Sequence, residues 1–570
     1  MVVETAPQFE RIEDDGYRVS RCSRWSATST RLSYAAIRVH LIQRSGMQSA
    51  GSKAVFGIDV YWGDAMATTQ TQLVDGLMNA KIYPPPCLHV ELVETHISWV
   101  LLTGQHAYKV KKPVNLGFVD FTSLERRKHF CEEEIRLNSR LAPDLYLDVV
   151  SITGTVENPR INGDGPIIDY AVRMQQFDKS HVLSVMSIQE ITIQQVETLA
   201  DECAVFHQTA ETVAPDSHQG TPAAIFKPVS DNFEVMNALD GSICALVADV
   251  RDRTCFLFER LIYTFKQRQI HGHIRECHGD LHLANMFLQD GRITIFDGIE
   301  FNDSLRWIDV VSDIAFLMMD LTIRGHRDIA NRFLNRWLER TGDYDGLKVL
   351  AFYCSYRAVV RAKVDSIRIH QPDVAYSEQR HLAKDCCEYL KLARQYLIRQ
   401  PPSLSITMGL SGSGKTTVTD RLIANSNIIR IRSDVERKRM HGLGLLDQST
   451  GELKTRVYSR RSTDMVYEKL KQLAAVAIDA GYSVVVDATF LKRAQRRMFI
   501  QLAESLGVPF TILHCEADEH VLRERIRHRQ SQQNDASEAG EEVLDAQLQL
   551  VETLCEAEEK YAQSAEAVLK

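Results

Sequence analysis

A glycine-rich stretch in the second half of the chain constrains the fold more strongly than any other feature. Residues Gly409–Thr416 fit the pattern G-x-x-x-x-G-K-[ST] and lie between a strand-like run and a helical pattern. Glycines let backbone N–H groups turn inward around a phosphate at the positive end of a helix dipole. The residues expected to contact a nucleotide are Gly409, Ser411, Gly412, Ser413, Gly414, Lys415, Thr416 and Thr417.

Two of these residues have specific predicted roles. Lys415 is expected to neutralise charge on the β- and γ-phosphates, and the Thr416 hydroxyl is expected to bind Mg²⁺. The sequence around the loop predicts a parallel sheet. Ile398–Pro402 ends in two prolines, which cannot continue a helix, and strands then alternate with helices. This alternation is typical of α/β domains, so we expect a linker at residues 399–403 and an α/β domain over residues 404–570.

Charged residues after two predicted strands supply candidate catalytic groups for this domain. Asp487 ends an apolar run, and the carboxyl end of a parallel strand faces the nucleotide crevice, so we expect it to be the acid on the magnesium side. Asp434 and Arg437 are spaced to share one helix face. Asp434 could accept a substrate proton and Arg437 could hold a substrate anion. The alternative is a helix N-cap with a solvated ion pair.

One predicted helix near the C-terminus carries four arginines. The guanidinium group is planar and always charged, which suits the phosphate charge of a transition state. We expect Arg525 and Arg529, which lie one helical turn apart, to assist catalysis. Arg523 and Arg527 have the same spacing, and a solvated helix face is the alternative. The polar stretch 531–542 that follows is predicted to be a mobile lid or loop.

These residues together resemble the small P-loop kinases of the gluconate, shikimate, polynucleotide and zeta-toxin type. The phosphate-binding loop, the D-x-x-R after the second strand, the acid at a strand end and the late arginine helix all have counterparts there. The resemblance covers about residues 404–570. It implies an ATP-dependent phosphotransferase, but it does not identify the acceptor.

The first half of the chain carries a second group of candidate catalytic residues. Cys277–Leu288 reads CHGDLHLANMFL, and a predicted strand places Asp297 shortly after it. Phosphoryl transfer to a hydroxyl requires a carboxylate near that hydroxyl and oxygen ligands for Mg²⁺ near the phosphates. Asp280 can supply the first, and Asn285 and Asp297 can supply the second.

This stretch resembles the catalytic loop of aminoglycoside phosphotransferases and choline kinases, distant relatives of protein kinases. The resemblance covers about residues 82–396 and implies a two-lobed kinase-like domain, which we assign to residues 66–398. It implies a strand lysine that contacts the phosphates, with Lys109 preferred and Lys111 as the alternative. The helix glutamate that pairs with it is Glu134 by preference, although Glu133 also qualifies.

The same resemblance assigns three more residues. Met174 lies in the stretch Tyr170–Phe177, which corresponds to the hinge whose backbone meets adenine. His278 and Asp313 are expected to hold the catalytic loop. The whole chain is similar to uncharacterised bacterial proteins that join such a domain to a P-loop kinase domain.

The pattern of the first lobe predicts its strands and helix. Residues 89–114 predict two strands joined through Thr103 and Gly104, and residues 123–145 predict a helix that Pro143 ends. The fold class expected for the whole chain is therefore α/β and α+β. It consists of a two-lobed kinase-like domain followed by a P-loop domain with a parallel sheet.

Composition and charge exclude several other classes of protein. Hydrophobic residues make up 44% and charged residues 25% of the 570 residues, which is typical of a globular chain. The net charge of −8 gives no overall basic field, so nucleic-acid binding would need a local patch and is not favoured. No apolar run reaches the roughly 18 residues of a membrane span. The 12 cysteines form no C-x-x-C pair, which predicts reduced thiols and a cytoplasmic location.

Residues 1–65 differ from the rest of the chain. They are rich in arginine and serine, and no acidic residue lies between Asp15 and Asp59. An organelle transit peptide has this composition, but we favour a disordered extension or a start codon placed too early.

The function expected from the sequence is ATP- and Mg²⁺-dependent phosphorylation of small-molecule hydroxyl groups at two sites. Both sites keep the residues that their chemistry requires. Two alternatives stay open, which are a nucleotide-sensing regulatory protein and a P-loop kinase or NTPase that acts on nucleic acid.

Overall fold

The computed structural model describes residues 54–55, 58–59, 72–117, 119–236, 242–371, 374–532 and 536–565. The expectations for residues 1–65 therefore lie almost entirely outside the described residues. Within that segment, strands β1 (Ala54–Val55) and β2 (Ile58–Asp59) pair antiparallel. None of the described helices is both long enough and apolar enough to cross a membrane.

A six-stranded antiparallel sheet forms the first lobe, with the strand order β3-β4-β5-β8-β6-β7. Successive residues of β5 face opposite sides, so Tyr108 and Val110 enter an apolar cluster while Lys109 and Lys111 face the other side. A short helix, α1 (residues 72–77), precedes the sheet. The strands are β3 (Glu91–Glu94), β4 (Ser98–Leu102), β5 (His106–Lys111), β6 (Tyr146–Thr155), β7 (Asn158–Ile161) and β8 (Ile167–Gln175).

The prediction of two strands over residues 89–114 was wrong, because the structure has three. The turn at Thr103 and Gly104 joins β4 to β5 as expected. An additional turn separates β3 from β4. There the Thr95 hydroxyl accepts a hydrogen bond from the Ser98 N–H (2.9 Å), which is a local side-chain contact that favours a turn over a continuous strand.

Helix α2 (Leu124–Asn138) packs across this sheet and buries charged side chains. Ser123 caps it by accepting a hydrogen bond from the Arg126 N–H (3.2 Å). The predicted continuation to Pro143 was wrong, since the helix ends at Asn138. The Asn138 side chain is held there, because its Oδ1 accepts a hydrogen bond from the Gly298 N–H of the second lobe (2.7 Å).

The second lobe is mostly helical, and its predicted catalytic loop lies between two short antiparallel strand pairs. Strand β9 (Ile274–Glu276) pairs with β12 (Trp307–Asp309), and β10 (Met286–Gln289) pairs with β11 (Arg292–Ile295). The helices are α3 (Ile193–Thr209), α4 (Pro222–Met236), α5 (Ser242–Ile270), α6 (Asp303–Arg306), α7 (Val310–Ile323), α8 (Arg327–Thr341), α9 (Leu347–Ile369) and α10 (Tyr376–Tyr396).

The C-terminal domain has a five-stranded parallel sheet with the order β14-β15-β13-β16-β17, which confirms the predicted class. The strands are β13 (Leu404–Met408), β14 (Ile428–Arg432), β15 (Ser483–Asp487), β16 (Phe510–His514) and β17 (Ala562–Ser564). The helices are α11 (Lys415–Asn425), α12 (Ser433–Met440), α13 (Gly451–Val457), α14 (Arg460–Asp479), α15 (Arg493–Leu506), α16 (Glu519–Gln532), α17 (Glu541–Leu550) and α18 (Glu556–Glu559).

The apolar core is continuous from the helical lobe into the parallel sheet. One cluster of buried residues includes Phe352 of α9, Leu470 of α14 and Ile406 of β13. Residues 399–403 contain neither helix nor strand, and helix α8 packs against α11 and β14. The helical lobe and the parallel-sheet domain are therefore packed against each other.

Candidate active sites

The loop after β9 brings together three of the predicted residues of the first site. The Asn285 Nδ2 donates hydrogen bonds to the Asp280 carboxylate (Oδ2, 2.9 Å) and to the Asp280 carbonyl oxygen (3.0 Å). The same nitrogen lies 3.5 Å from the carbonyl oxygen of Asp297, which follows β11. The candidate base thus lies beside both candidate magnesium ligands.

Lys109 of the first lobe reaches this group from across the cleft. Its Nζ lies 2.5 Å from Asp297 Oδ1 and 2.8 Å from Glu134 Oε1. Burial alone would lower the pKa of Lys109, but Asp297 and Glu134 raise it well above its usual range. Burial would likewise raise the pKa of Glu134, but Lys109 and Lys111 lower it to about 2. These side chains therefore form a charged group that joins the two lobes.

The alternatives left open by the sequence have different surroundings. Lys111 is fully buried and contacts Glu134 (2.7 Å) and Glu300, whereas Lys109 contacts Asp297. Glu133 is directed at Arg136 instead (2.8 Å). These placements favour Lys109 and Glu134 for the nucleotide-side roles, which stay predictions. No spacing pattern in the sequence points to Glu300, which is separated from Lys111 by 189 positions.

Asp313 anchors the catalytic loop from helix α7. Its carboxylate accepts hydrogen bonds from the backbone N–H groups of His278 (3.1 Å) and Gly279 (2.9 Å). It also lies 3.1 Å from His207 Nε2, while His207 Nδ1 accepts a hydrogen bond from Trp337 Nε1 (3.2 Å). Burial alone would raise the pKa of Asp313, but His207 lowers it. These contacts fit the predicted anchoring role.

Two histidines flank the candidate base. His278 Nδ1 accepts a hydrogen bond from the Asp280 N–H (3.3 Å), so Nε2 carries the proton that it donates to the Phe296 carbonyl (3.0 Å). His282 Nε2 lies 3.2 Å from Asp280 Oδ2. Burial alone would raise the pKa of Asp280, but His282 lowers it, and Asp280 in turn raises the pKa of His282. Asp280 is therefore ionised, as a proton acceptor must be.

Asp297 has an unusual backbone conformation. Its φ of +62° is uncommon for a residue with a side chain and costs conformational energy. The surroundings hold it, because the Asp297 N–H donates to the Tyr146 hydroxyl (3.0 Å) and the next residue is bound to Asn138. The strained turn directs the carboxylate toward Lys109.

The predicted hinge lies beside an aromatic cluster. Met174 is buried on β8 opposite Ala107. Shortly after it, the Phe177 ring stacks on Phe287 with centroids 4.1 Å apart and meets the edge of Phe296 at 5.1 Å. Because Phe287 and Phe296 flank the catalytic loop, these rings connect the hinge to the loop.

In the second site, the phosphate-binding loop has the backbone that its glycines predict. Gly412 and Gly414 have φ values of +85° and +89°. A Cβ on Gly412 would come within 2.8 Å of the Leu522 carbonyl oxygen. The Ser413 hydroxyl is buried and has no hydrogen-bond partner among the described residues. Such an orphaned polar atom inside the loop suits a phosphate oxygen as its partner.

Lys415 and Thr416 begin helix α11 directly after this loop. The Lys415 Nζ donates to the loop's own carbonyl oxygens at Gly409 (3.1 Å) and Leu410 (2.7 Å), and burial lowers its pKa. The Thr416 hydroxyl donates to Asp487 Oδ2 (3.0 Å). A hydroxyl and a carboxylate side by side are the hard oxygen ligands that Mg²⁺ prefers, so these residues fit a magnesium site. Thr417 is exposed on the next position of the helix.

Helix α12 carries the predicted acid and arginine on the substrate side. Asp434 is half-buried in its first turn. Arg437 is buried, donates to the Val457 carbonyl (3.1 Å) and lies over the Tyr458 ring at 5.2 Å. Its Nε has no hydrogen-bond partner among the described residues. Arg437 therefore has a donor that a substrate anion can use.

The four arginines of helix α16 divide into two groups. Arg525 donates to the Gly412 carbonyl oxygen of the phosphate loop (3.2 Å), and Arg529 donates to the Ala539 carbonyl oxygen (2.9 Å). Arg523 and Arg527 instead form ion pairs with Glu541 of α17 (3.2 and 2.7 Å). Arg525 thus contacts the phosphate loop, whereas Arg529 contacts the stretch that follows helix α16, and the catalytic roles of both arginines stay predictions.

The predicted lid at 531–542 is partly structured. Helix α16 continues to Gln532, residues 533–535 lie outside the described residues, and Ala536 and Ala539 are buried. Glu538 lies 3.3 Å from Lys438 of α12. This stretch therefore packs beside helix α12, which carries the predicted substrate-binding residues.

A cavity of about 580 Å³ opens beside the phosphate loop. It is lined by Gly409, Ser413 and residues 514–518, which follow strand β16. This volume lies within the range of small-molecule and cofactor pockets. The cavity has room for the nucleoside part of a nucleotide whose phosphates lie on the loop.

Comparison with known proteins agrees with this division. A family model described as a phosphotransferase enzyme family matches residues 119–350, and one described as an AAA domain matches residues 404–554. Uncharacterised proteins of Mycobacterium tuberculosis and Mycobacterium bovis are 30% identical over 455 residues. The match covers 79% of this chain and 88% of the relatives.

Two solved structures are each similar to part of this chain. An amicoumacin kinase in complex with AMP-PNP and Ca²⁺ is 11% identical, covers 58% of this chain and 94% of its own, and has a TM-score of 0.37. A sugar kinase from Janibacter is 20% identical, covers 30% of this chain and 91% of its own, and has a TM-score of 0.23.

Proposed function

We propose that this chain, which belongs to the two-domain family of its mycobacterial relatives and is an ATP-dependent kinase, phosphorylates small-molecule hydroxyl groups at two separate sites. The observation that carries the proposal is the presence of two complete sets of groups. Each domain holds an aspartate that could accept a proton, a lysine that could bind phosphates, and oxygen-bearing side chains that could hold a divalent cation.

In the first site, Asp280 accepts the proton of the acceptor hydroxyl while the hydroxyl oxygen forms a bond to the γ-phosphorus of ATP. The bond between the γ-phosphorus and the oxygen that bridges it to the β-phosphate breaks at the same time. His282 and Asn285 hold the carboxylate in place. Lys109 binds the phosphates and is oriented by Glu134. Asn285 and Asp297 would hold Mg²⁺, which supplies charge neutralisation on the phosphate oxygens.

In the second site, the backbone N–H groups of the loop, the Ser413 hydroxyl and Lys415 bind the phosphates. Thr416 and Asp487 would hold Mg²⁺. Asp434 accepts the proton of the second acceptor, and Arg437 binds an anionic group of it. Arg525, which contacts Gly412 of the loop, stabilises charge on the transferred phosphoryl group.

Action on nucleic acid is less well supported. A local basic strip would favour it, and such a strip could be formed by the arginines of α16 together with Arg493, Arg496 and Arg497. Arg496 is fully buried against Glu558 (2.9 Å), and Arg523 and Arg527 are paired with acids. These contacts reduce the positive charge that a phosphate backbone would meet.

The experiment that tests the proposal is ATP consumption by the full chain with Mg²⁺ and a pooled metabolite extract, with products identified by mass spectrometry. Asp280→Ala and Lys415→Ala are compared with the unmodified protein. We expect two phosphorylated products, of which one is lost in each variant. If nucleotide binds but no product forms, the regulatory alternative replaces this proposal.

A further inference from the structure

The stripe of helix α8 that faces the second domain carries polar residues at helical spacing. Asn331, Asn335 and Glu339 are separated by four residues each, so they share one face of the helix. The neighbouring stripe, which includes Phe333 and Trp337, is buried in the kinase-like lobe. Helix α8 therefore contacts one domain on each side.

The first contacts of this stripe continue the hydrogen bonding of the sheet. Strand β14 is at the edge of the parallel sheet, where backbone groups lack a strand partner on one side. Asn335 supplies one, because its Nδ2 donates to the Ile428 carbonyl (3.0 Å) and its Oδ1 accepts from the Arg430 N–H (2.6 Å). Asn331 binds the carbonyl oxygens of Ile423 and Ser426 (3.2 and 3.0 Å).

Glu339 extends this contact toward the second site through two arginines of β14. It is fully buried, and its Oε1 accepts hydrogen bonds from Arg430 (2.9 Å). Its Oε2 lies 3.9 Å from Arg432 Nη1 and accepts no hydrogen bond from a described residue. On the other side, Arg432 Nε lies 4.0 Å from Asp487 Oδ2. Arg432 is therefore nearly equidistant from two buried carboxylates.

This equal spacing has a consequence for Asp487. A buried guanidinium group shared by two carboxylates pairs more closely with one of them when the other loses its charge. Without the charge of Glu339, Arg432 would pair more closely with Asp487. The Asp487 carboxylate would then be less available to Thr416 and to a cation bound there.

We propose that Glu339 of the kinase-like domain is a positioning residue for the second site, which keeps Arg432 from pairing more closely with Asp487. The proposal rests on the magnesium-side role of Asp487 in the proposed function. Helix α8 would then support both sites. Its other stripe already contacts the first site, because Trp337 donates a hydrogen bond to His207, which in turn lies beside Asp313 under the predicted catalytic loop.

The test measures nucleotide binding instead of turnover. ADP is titrated calorimetrically into the full chain with saturating Mg²⁺ and with a chelator, in a Lys109→Met background that weakens the first site. We expect Glu339→Gln to weaken ADP binding about tenfold with Mg²⁺ and to leave binding without Mg²⁺ nearly unchanged. Glu339→Asp, which keeps the charge, should restore most of the difference.

Asn331→Ala is the matched control, because it weakens the same interface without changing its charge. Equal Mg²⁺ dependence in Glu339→Gln and the parent would overturn the proposal, as would an equal loss in Asn331→Ala. Lys415→Ala separates this inference from the proposed function. If Lys415→Ala leaves ADP binding unchanged, the second site itself is wrong. If it abolishes binding while Glu339→Gln has no effect, only the inference fails.

A second variant covers the case in which Glu339→Gln does not fold. Glu339→Gln with Arg430→Gln removes one charge of each sign, so the net charge of the cluster is kept. Arg432 still loses the Glu339 carboxylate, and the same loss of Mg²⁺-dependent ADP binding is expected. Parent-like binding in this variant would contradict the proposal.

Discussion

The two candidate sites hold their charged groups in opposite ways. In the first site, Lys109 already contacts Glu134 of its own lobe and Asp297 of the other lobe. In the second site, Lys415 is bound to carbonyl oxygens of its own loop and Thr416 is bound directly to Asp487. The first set of charges is thus paired by other side chains, and the second set is held in contacts that a nucleotide has to replace.

This difference indicates how much the charged groups of each site contribute to the stability of the domain that holds them. Buried ion pairs across the lobes make the first site part of the structural core of its domain, so its charges cannot be removed without cost. The second loop depends on glycine conformations and backbone contacts, which a side-chain change at Lys415 leaves in place. Function and stability should therefore be coupled in the first site and separable in the second.

The largest expected effect is a loss of turnover at the first site that leaves turnover at the second site unchanged. Asp280→Asn should lower turnover at the first site by about 10²–10⁴-fold, because the proton acceptor is lost, and leave the second product unaffected. Product formation by mass spectrometry measures both in one sample. Asp290→Asn, at an exposed aspartate in the turn between β10 and β11, is the control and should have no effect. Parallel loss of both products in Asp280→Asn would show that the sites are not separate.

Stability should respond differently to the loss of one charge in each site. Glu134→Gln leaves Lys109 and Lys111 buried without their shared carboxylate, so the free energy of unfolding should fall by about 3–5 kcal/mol. Lys415→Met should cost about 1 kcal/mol or less, because only hydrogen bonds to loop carbonyls are lost. Denaturant unfolding measures both, with the neighbouring Glu133→Gln as control. Equal losses in the two variants would contradict the contrast drawn between the sites.

A glycine pair tests the backbone of the second site. Gly412→Ala brings a Cβ against the Leu522 carbonyl and should weaken nucleotide binding at the second site by about tenfold to a hundredfold. Gly442 also has a positive φ, of +71°, but has open space around it. Gly442→Ala should therefore lose about 1–2 kcal/mol of stability without affecting binding. Calorimetric titration with ADP compares them, and matching affinities would argue against a tightly fitted loop.

The smallest expected effect is a pH dependence confined to the first site. Asp280 raises the pKa of His282, so their pairing stabilises the fold fully below the ordinary histidine pKa of about 6.5 and is lost as pH rises through the raised value. The melting temperature of the unmodified protein should exceed that of His282→Gln at about pH 6, with a smaller difference at about pH 9. The contribution should be about 1 kcal/mol or less. A difference that does not change with pH would refute the pairing.

The sequence was sufficient to predict the features that are formed by residues close together in the chain. Asp280 and Asn285 lie on one loop, and Gly409–Thr416 joins a strand to a helix, so local patterns were sufficient to identify both. The boundaries that failed were set by distant contacts, as at Asn138, where a residue of the other lobe holds the end of helix α2. Partners such as Glu300 for Lys111, or Glu339 for Arg430, have no fixed spacing in the chain. They depend on how the lobes and domains pack, which no local pattern encodes.

The most direct test of two sites is the number of nucleotides that one chain binds. Calorimetric titration of the full chain with ADP and Mg²⁺ should give two nucleotides per chain. Lys109→Ala and Lys415→Ala should each give one, and the double variant should give none. A single nucleotide per chain in the unmodified protein, lost in only one of the two variants, would contradict the account and leave the other domain without a nucleotide site.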